Sequence, residues 1–186
     1  MHISELDSTL RGVFKMLKNT EVTDEDKHPI ETQLEHDLIA PCGMNCSLCI
    51  AYHFRELDIN KQGFHRRYCP GCIPRAEHCK HMGDVCEKLG QGRVRFCTEC
   101  EDYPCKRLKA LDNRYRSKYH MSMLENLDYI EAQGMEAFLS KEADKWKCNK
   151  CGGKICCHNG LCLKCDLDKL LNNKKYRWNE HDKHVE

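Results

Sequence analysis

The chain of 186 residues contains 32% charged and 40% hydrophobic residues, so an apolar core alone would be thin. Its 30 Lys and Arg residues nearly balance its 29 Asp and Glu residues, and the formal net charge is +1. No apolar run reaches the roughly 18 residues that a membrane-spanning helix needs, and the first residues do not form a signal peptide. These observations exclude an integral membrane protein and predict a cytoplasmic one that does not bind membranes.

The first part of the chain predicts one helix and a linker. Apolar residues recur at helical spacing over residues 4–18, which is typical of an amphipathic helix. Residues 19–29 are polar and acidic without periodicity, so they predict a linker. The stretch from Glu31 to Ile39 predicts a short helix or an extended lead-in to the Cys-rich segment.

Glycine and proline interrupt the Cys-rich segment so often that tight turns and short helices are expected there. One short helix is predicted from Val85 to Leu89, ended by Gly90. A second is predicted to begin at Pro104 and to run through Leu108 and Leu111, because proline is favoured in the first helical turn.

Residues 122–146 carry the clearest helical pattern. Ser122 and Glu125 have the spacing of a capping box, and Gly134 predicts a break between two helices, the second ending near Trp146. The tail from Asp166 is polar, with Tyr176 and Trp178 as its predicted anchors.

These patterns predict a small, metal-stabilised, mainly α protein with irregular Cys-rich loops and a C-terminal zinc-ribbon-like knuckle. Five parts are expected along the chain: an N-terminal helix with an acidic linker (1–37), a Cys-rich metal-binding domain (38–106), a helical connector (107–145), a zinc knuckle (146–166) and a polar tail (167–186).

Sixteen cysteines dominate the chemistry of the sequence. In a reducing compartment, cysteines at such short spacing are typical of metal ligands rather than disulfides. Five Cys-x-x-Cys pairs occur, and each can turn two sulfur atoms toward one metal ion. The pairs Cys148/Cys151 and Cys162/Cys165 lie ten residues apart, and the first is followed by two glycines that suit a tight turn. They predict one structural zinc ion held by four thiolates.

The loop between these two pairs contains Cys156, Cys157 and His158. Cys156 and His158 are secondary candidates for metal ligands. The vicinal Cys156-Cys157 pair could also be redox-active, although a small buried residue is the simpler interpretation of Cys157.

Spacing does not show which of the first ten cysteines share a metal ion, because two four-thiolate sites need only eight of them. Together with the C-terminal site they predict two or three zinc ions. The ligands predicted for the whole chain are Cys42, Cys46, Cys49, Cys69, Cys72, Cys79, Cys86, Cys97, Cys100, Cys105, Cys148, Cys151, Cys162 and Cys165.

A [4Fe-4S] cluster in the 42–105 module is the rival interpretation, since clusters also take four thiolates. The spacing of Cys42, Cys46 and Cys49 is also that of the radical S-adenosylmethionine enzymes. That chemistry needs a partial α/β barrel, and the chain shows no repeated strand–helix pattern, so this alternative is disfavoured.

Charge is spread unevenly: residues 1–60 have a net charge of −6, residues 61–118 of +7, and residues 119–186 are neutral. A basic segment can indicate a surface that binds nucleic acid. It can also compensate the charge of metal-bound thiolates, because a zinc ion with four thiolates carries a net charge of about −2. The second interpretation is favoured. Within the basic segment, Arg114-Tyr115-Arg116-Ser117-Lys118-Tyr119-His120 is the best candidate for contact with phosphate or nucleic acid.

Three segments carry a family resemblance: Ile39 to Tyr52, Cys69-Pro70-Gly71-Cys72, and Cys97 to Cys105. They resemble a bacterial and archaeal family of cysteine-rich proteins of unknown function that are described as zinc-binding. The segment from Trp146 to Cys165 is similar to a longer subgroup with a C-terminal Cys-x-x-Cys-Gly-Gly zinc knuckle. One departure is Met82, where many relatives have a further cysteine. The resemblance implies metal binding and no established activity.

No catalytic triad, phosphate-binding loop or zinc-protease motif is found, and all-thiolate sites have no open ligand position, so the sequence does not predict an enzyme. Three hypotheses remain. The first is a structural zinc protein that contacts an unidentified protein partner. The second is an iron–sulfur protein in electron transfer or redox sensing, and the third is a zinc-bearing nucleic-acid binder.

Overall fold

The computed structural model describes residues 35–75, 86–91 and 93–178. In these ranges the chain forms six α-helices: α1 (Ile50–Glu56), α2 (Glu87–Gly90), α3 (Lys106–Tyr119), α4 (Met123–Gln133), α5 (Met135–Lys145) and α6 (Leu167–Asn172). Three 3-10 helices are also present: Cys46–Leu48, Ile59–Gln62 and Cys97–Glu99. Apart from two isolated antiparallel bridges, the described residues form no β-structure. The predicted mainly α class with Cys-rich loops is therefore confirmed.

The first predicted elements are only partly covered by the structure. The helix over residues 4–18 and the linker over 19–29 lie outside the described residues. In the lead-in, residues 35–37 are helical and Ile39 forms an isolated bridge with Asn45. In the described part of the chain, no helix has the length and apolar character needed to cross a membrane.

The helical segment from α3 to α5 follows the sequence prediction closely. Gly134, at a φ of 84°, ends α4 and begins α5. The helix predicted to begin at Pro104 instead begins at Lys106, with Cys105 as its N-cap. Pro104 therefore precedes the helix rather than occupying its first turn.

A buried carboxylate joins α3 to α4. Asp112 is only 3% exposed, and its Oδ1 atom accepts hydrogen bonds from Ser122 Oγ at 2.8 Å and from Leu124 N at 3.1 Å. Ser122 caps α4 as predicted, because its Oγ accepts a hydrogen bond from Glu125 N at 3.0 Å. The Glu125 side chain does not complete the capping box, because its Oε1 atom pairs with Arg116 Nη2 at 2.8 Å. Arg116 also donates to Asp112 Oδ2 at 2.9 Å, so one arginine holds both carboxylates.

The start of the Cys-rich segment packs directly against α4. Gly43 has a φ of 82°, and a Cβ atom placed on it would lie 2.7 Å from the Met123 carbonyl oxygen and 2.9 Å from Leu127. The Asn126 side-chain amide donates to the Gly43 carbonyl at 2.9 Å. Only glycine fits both this backbone conformation and this close approach. The turn after Cys42 is thereby fixed to the helical segment.

Two clusters of buried residues form the core. The larger one contains Leu108, Met123, Leu127, Trp146 and Ile155, together with several cysteines. It takes residues from each of the segments 38–106, 107–145 and 146–166, whose boundaries as separate domains stay a prediction. The smaller cluster is built from α1, the loop after it, the C-terminal knuckle and α6, through Phe54, Ile59, Phe64, Leu161, Leu163 and Leu170.

The tail is more firmly attached than its polar composition suggested. Tyr176 packs against the smaller cluster and Trp178 against the larger one, as the sequence predicted. Leu170 of α6 is a further anchor, because it is only 2% exposed.

Candidate metal centre

Four cysteines converge near the C-terminus. The sulfur atoms of Cys148, Cys151, Cys162 and Cys165 all lie within 4.8 Å of one another. The distance from Cys148 Sγ to Cys165 Sγ is 4.0 Å, and that from Cys151 Sγ to Cys162 Sγ is 3.6 Å. This is the one such group in the described part of the chain. The two Cys-x-x-Cys pairs that the sequence joined are therefore brought together, and the cluster could hold a metal ion.

The backbone around the first pair forms a tight turn closed by an isolated bridge between Lys147 and Lys154. Cys148 N donates to Gly153 O at 2.7 Å, and Gly152 N donates to Cys148 O at 2.8 Å. Gly153 N also donates to Cys151 Sγ at 3.4 Å. Gly152 has a φ of 71°, which explains why a glycine follows the second cysteine of the pair.

The second pair forms a matching turn before α6. Cys165 N donates to Cys162 O at 2.9 Å, and Asp166 N donates to the same oxygen at 2.7 Å. Cys148 and Cys162 are buried whereas Cys151 and Cys165 are exposed. The site thus lies at the protein surface with one buried and one exposed sulfur from each pair.

The electrostatics of the four thiols favour a bound cation. Hydrogen bonds from the backbone N–H groups of Lys150 and Cys151 lower the pKa of the Cys148 thiol to about 7. The pKa of Cys165 is instead raised to about 12, mainly because this thiol shares a hydrogen bond with Cys151. One thiolate thus forms readily, and further thiolates beside it are unfavourable until a cation compensates their charge.

The distances fit a single tetrahedral ion. Zinc binds thiolate sulfur at ~2.3 Å, so two sulfurs of a regular tetrahedron stand ~3.8 Å apart. The two measured distances, 3.6 and 4.0 Å, lie on either side of this value. All the sulfur–sulfur distances are below 4.8 Å, so the four thiols stand close enough together that they could share one ion.

A different arrangement is found among the earlier cysteines. Cys86, Cys97, Cys100 and Cys105 line one cavity of about 150 Å³, together with the apolar side chains of Leu89, Val94, Tyr103 and Leu108. Burial raises the pKa of the Cys97 thiol to about 12, and the other three cysteines add to the rise because their charges would lie close by. These four are not part of the compact sulfur group described above.

The remaining cysteines of the first group lie around the first Cys-x-x-Cys turn. Cys42, Cys46 and Cys72 are buried, whereas Cys49 and Cys69 are half-buried. Backbone bonds bring other segments to this turn. Cys69 N donates to Ala51 O at 3.2 Å, and Cys97 N donates to Pro41 O at 2.9 Å. Cys79 lies outside the described residues, so the ligand sets of the 42–105 module stay a prediction.

The three loop candidates, Cys156, Cys157 and His158, are not part of the four-cysteine cluster. Cys156 and Cys157 are fully buried, and burial raises the pKa of both thiols. His158 Nδ1 accepts a hydrogen bond from Ile50 N at 3.3 Å, which leaves Nε2 to bond Tyr115 Oη at 3.2 Å. His158 therefore contacts α1 and α3, and the adjacent Cys157 N donates to Leu48 O at 2.9 Å. Cys156 bonds within its own loop, where its N donates to Leu161 O at 2.9 Å.

One group of polar residues near this loop was not predicted from the sequence. Asn159 is 1% exposed, and it lines a cavity together with Arg66, Arg67, Lys174 and Arg177. These residues are scattered over more than one hundred positions, so no local motif marks them. The only sequence signal is the unusual asparagine inside a cysteine-rich loop.

Comparison with protein families supports the resemblance seen in the sequence. Residues 38–110 match the family described as "Protein of unknown function (DUF3795)". The prediction of a cysteine-rich family of unknown function is confirmed for these residues. Comparison with curated proteins and with solved structures finds no match.

Proposed function

We propose that this protein binds zinc at Cys148, Cys151, Cys162 and Cys165, and that the ion has a structural role. The observation that carries the proposal is the convergence of four sulfur atoms within 4.8 Å of one another. The site offers sulfur alone, and four ligands leave no position for a substrate, which is typical of structural zinc rather than catalytic zinc. The tight turns at the two cysteine pairs support the zinc-ribbon-like knuckle that the sequence predicts.

The packing of the knuckle supports a structural role. Trp146 directly precedes the first cysteine pair and is 1% exposed in the larger core. Cys148 and Ile155 belong to the same core. The metal therefore orders a loop that the helical segment needs to complete its own core, and the folded surface is available for a protein partner.

Metal analysis of the purified full-length chain tests the proposal. We expect Cys151→Ser to remove about one zinc equivalent per chain, because Cys151 is exposed and its loss leaves only three thiolates. Lys164→Ala is the matched control, since Lys164 is exposed and lies between the two cysteines of the second pair. Equal zinc content in both variants would contradict the proposal.

A second candidate function is an iron–sulfur protein with a redox role. It is supported by the cavity of about 150 Å³ that Cys86, Cys97, Cys100 and Cys105 line. In a cluster each thiolate binds a different iron atom, so the four sulfurs stand farther apart than around one ion. A cavity between them suits a cluster better than it suits zinc. The charged lining of the cavity is Lys88, Asp102 and Arg107, and Lys88 pairs with Asp102 at 3.0 Å.

Anoxic purification separates this candidate from zinc. A cluster gives a brown protein with iron and labile sulfide, and Cys100→Ser should abolish both. Cys151→Ser is the control, because it removes a ligand of the other proposed site and should leave the iron content unchanged. A colourless chain that contains zinc alone would rule out the iron–sulfur candidate.

A further inference from the structure

A second cavity, of about 160 Å³, is strongly basic. Its described lining includes four cationic side chains and no Asp or Glu: Arg66, Arg67, Lys174 and Arg177. The lining also includes Ile50 and Phe54 of α1, Leu170 of α6, and the rings of Tyr119 and His158. A cavity whose described lining combines apolar side chains with cations alone is suited to an anion that also carries an apolar part.

A buried amide in this cavity has one hydrogen-bonding group left over. Asn159 Oδ1 accepts from Leu161 N at 3.1 Å, which identifies the other end of the amide as the donor Nδ2. Nδ2 is buried and has no hydrogen-bond partner among the residues that the structure describes. Such a donor is costly unless an acceptor reaches it. A phosphate or carboxylate oxygen bound in the cavity would supply the missing acceptor.

Two of the cations, Lys174 and Arg177, bond neutral groups rather than described carboxylates. Lys174 Nζ donates to Gly63 O at 2.6 Å and lies 5.1 Å from the Phe64 ring centre. Arg177 donates to the carbonyl of Tyr176 at 2.8 Å. The guanidinium of Arg66 has no ion pair with a described acidic residue, since only its backbone groups bond Asn60. These charges are placed by the fold but are not neutralised by it.

An adjoining cavity of about 600 Å³ extends the basic surface. It shares Tyr119 and Arg177 with the first cavity and adds Arg114, Ser117, Lys118, His120 and Trp178. The sequence segment from Arg114 to His120 thus contributes to a real cleft. The rings of His120 and Trp178 lie 4.8 Å apart, and Trp178 is fixed by its Nε1 donating to Cys157 O at 2.6 Å. Aromatic rings can stack on a base, and cations can bind its phosphate. Fixed rings beside cations therefore suit a nucleotide.

We propose that the two adjoining cavities bind a nucleotide, with its phosphate beside Asn159 and Arg66 and its base against the rings of Tyr119, His120 and Trp178. A free nucleotide and a single-stranded nucleic acid present the same chemistry to this site. None of the four cysteines lines the cleft, but Asn159 and His158 lie in the loop between the two cysteine pairs, so nucleotide binding should require the metal-loaded protein, whichever metal it holds.

Isothermal titration of the metal-loaded full-length protein tests it, with three probes at low salt: inorganic phosphate, adenosine monophosphate and a single-stranded 12-nucleotide oligomer. We expect both nucleotide probes to bind more tightly than inorganic phosphate. If the mononucleotide and the oligomer bind the site with similar affinity, the ligand of the cleft is a free nucleotide. An oligomer that binds far more tightly, with affinity falling steeply as salt rises, would assign a single strand.

Variants make the test specific to the cleft. Arg66→Ala should weaken nucleotide binding about tenfold or more, and Asn159→Asp should do the same because it places a carboxylate against the phosphate. Arg93→Ala, which removes an exposed charge elsewhere, should leave binding unchanged. Arg66 is exposed, so its variant keeps the proposal testable if Asn159→Asp misfolds. Absence of nucleotide binding, equal binding of inorganic phosphate, or an equal loss in Arg93→Ala would overturn the proposal.

Discussion

Gly43 shows at the scale of one residue why the Cys42-Gly43 turn tolerates no side chain. Its φ of 82° lies in the left-handed region, and the position of a Cβ atom is already occupied by the Met123 carbonyl at 2.7 Å. Two separate penalties therefore act on any substitution, one from the backbone and one from the contact with α4.

We expect Gly43→Ala to lower the free energy of unfolding by about 2–4 kcal/mol. Gly63→Ala is a matched control, because Gly63 also has a positive φ, of 77°, but the nearest atom to its added Cβ is Lys174 Nζ at 3.7 Å, which is an ordinary van der Waals contact. Chemical denaturation of the two variants separates the penalties. If both lost the same stability, the close approach to α4 would contribute nothing.

The buried carboxyl group of Glu142 is a second feature that should reduce the stability of the folded protein. Glu142 is 3% exposed, and its Oε2 atom is buried without a hydrogen-bond partner in the described part of the chain. Burial raises its pKa, and the nearby Lys145 and the Trp146 N–H group offset this only in part. Because the folded pKa lies above the unfolded value of about 4.3, the folded state binds the proton more strongly.

Stability conferred by protonated Glu142 should therefore be lost as pH rises through its folded pKa. We expect the stability of the wild type relative to Glu142→Gln to fall as pH rises above the unfolded value of about 4.3 and through the raised folded pKa, measured by denaturant unfolding. Comparing the two proteins at each pH cancels the pH dependence of metal binding, which both share. The exposed Glu131→Gln variant should show no such trend, and a flat difference for Glu142→Gln would refute the assignment.

At the scale of elements, the junction of α3 and α4 depends on one side chain. Asp112 accepts bonds from Ser122 and Leu124 at the start of α4 and from Arg116 on its own helix. Removing the carboxylate leaves several donors without an acceptor in a buried position, which costs more than the bonds themselves contributed.

Asp112→Ala should therefore destabilise the protein by about 2–4 kcal/mol. Asp144→Ala, which removes an exposed carboxylate from α5, should change stability by less than about 0.5 kcal/mol. Thermal or denaturant unfolding measures both. Equal effects would mean that the α3–α4 junction does not depend on the buried carboxylate.

The same elements show how far the sequence could predict the structure. Ser122, Gly134 and the apolar spacing of α3 to α5 act locally, so the helices and their break were predictable. The pairing of Cys148/Cys151 with Cys162/Cys165 was also predictable, because both pairs lie within one short loop. The prediction that the Glu125 side chain completes a capping box was wrong, because Arg116 from another helix pairs with Glu125.

The cavities could not be predicted, since they depend on contacts between distant segments. Cys86 meets Cys97 and Cys105 only once α2 and α3 have packed, and spacing alone does not distinguish them from the other cysteines. Asn159 and Arg66 are nearly one hundred residues apart, and the sequence marks neither as polar lining of a common site.

At the scale of the whole molecule, the knuckle and the helices share one core. Trp146, Cys148 and Ile155 pack with Leu108 and Met123, so the metal site is not an independent appendage. Loss of the metal should therefore be felt beyond the loop that binds it.

We expect a strong chelator to increase amide hydrogen exchange first in residues 146–166 and to lower the melting temperature of the entire described region. The segment has little apolar area of its own, so the metal supplies much of its stability. Adding back zinc should reverse both changes. Unaltered exchange in residues 146–166 after complete metal removal would contradict a structural role.

The packing of Trp178 has a practical consequence. The chain has two tryptophans. Trp146 lies two residues before Cys148, and Trp178 contacts the loop between the cysteine pairs so closely that a Cβ on Gly160 would stand 2.7 Å from its ring. The two indole rings are 6.5 Å apart. All the tryptophan emission of this protein therefore originates beside the four-cysteine cluster, and its intensity gives a label-free optical signal for the arrival or departure of the ion.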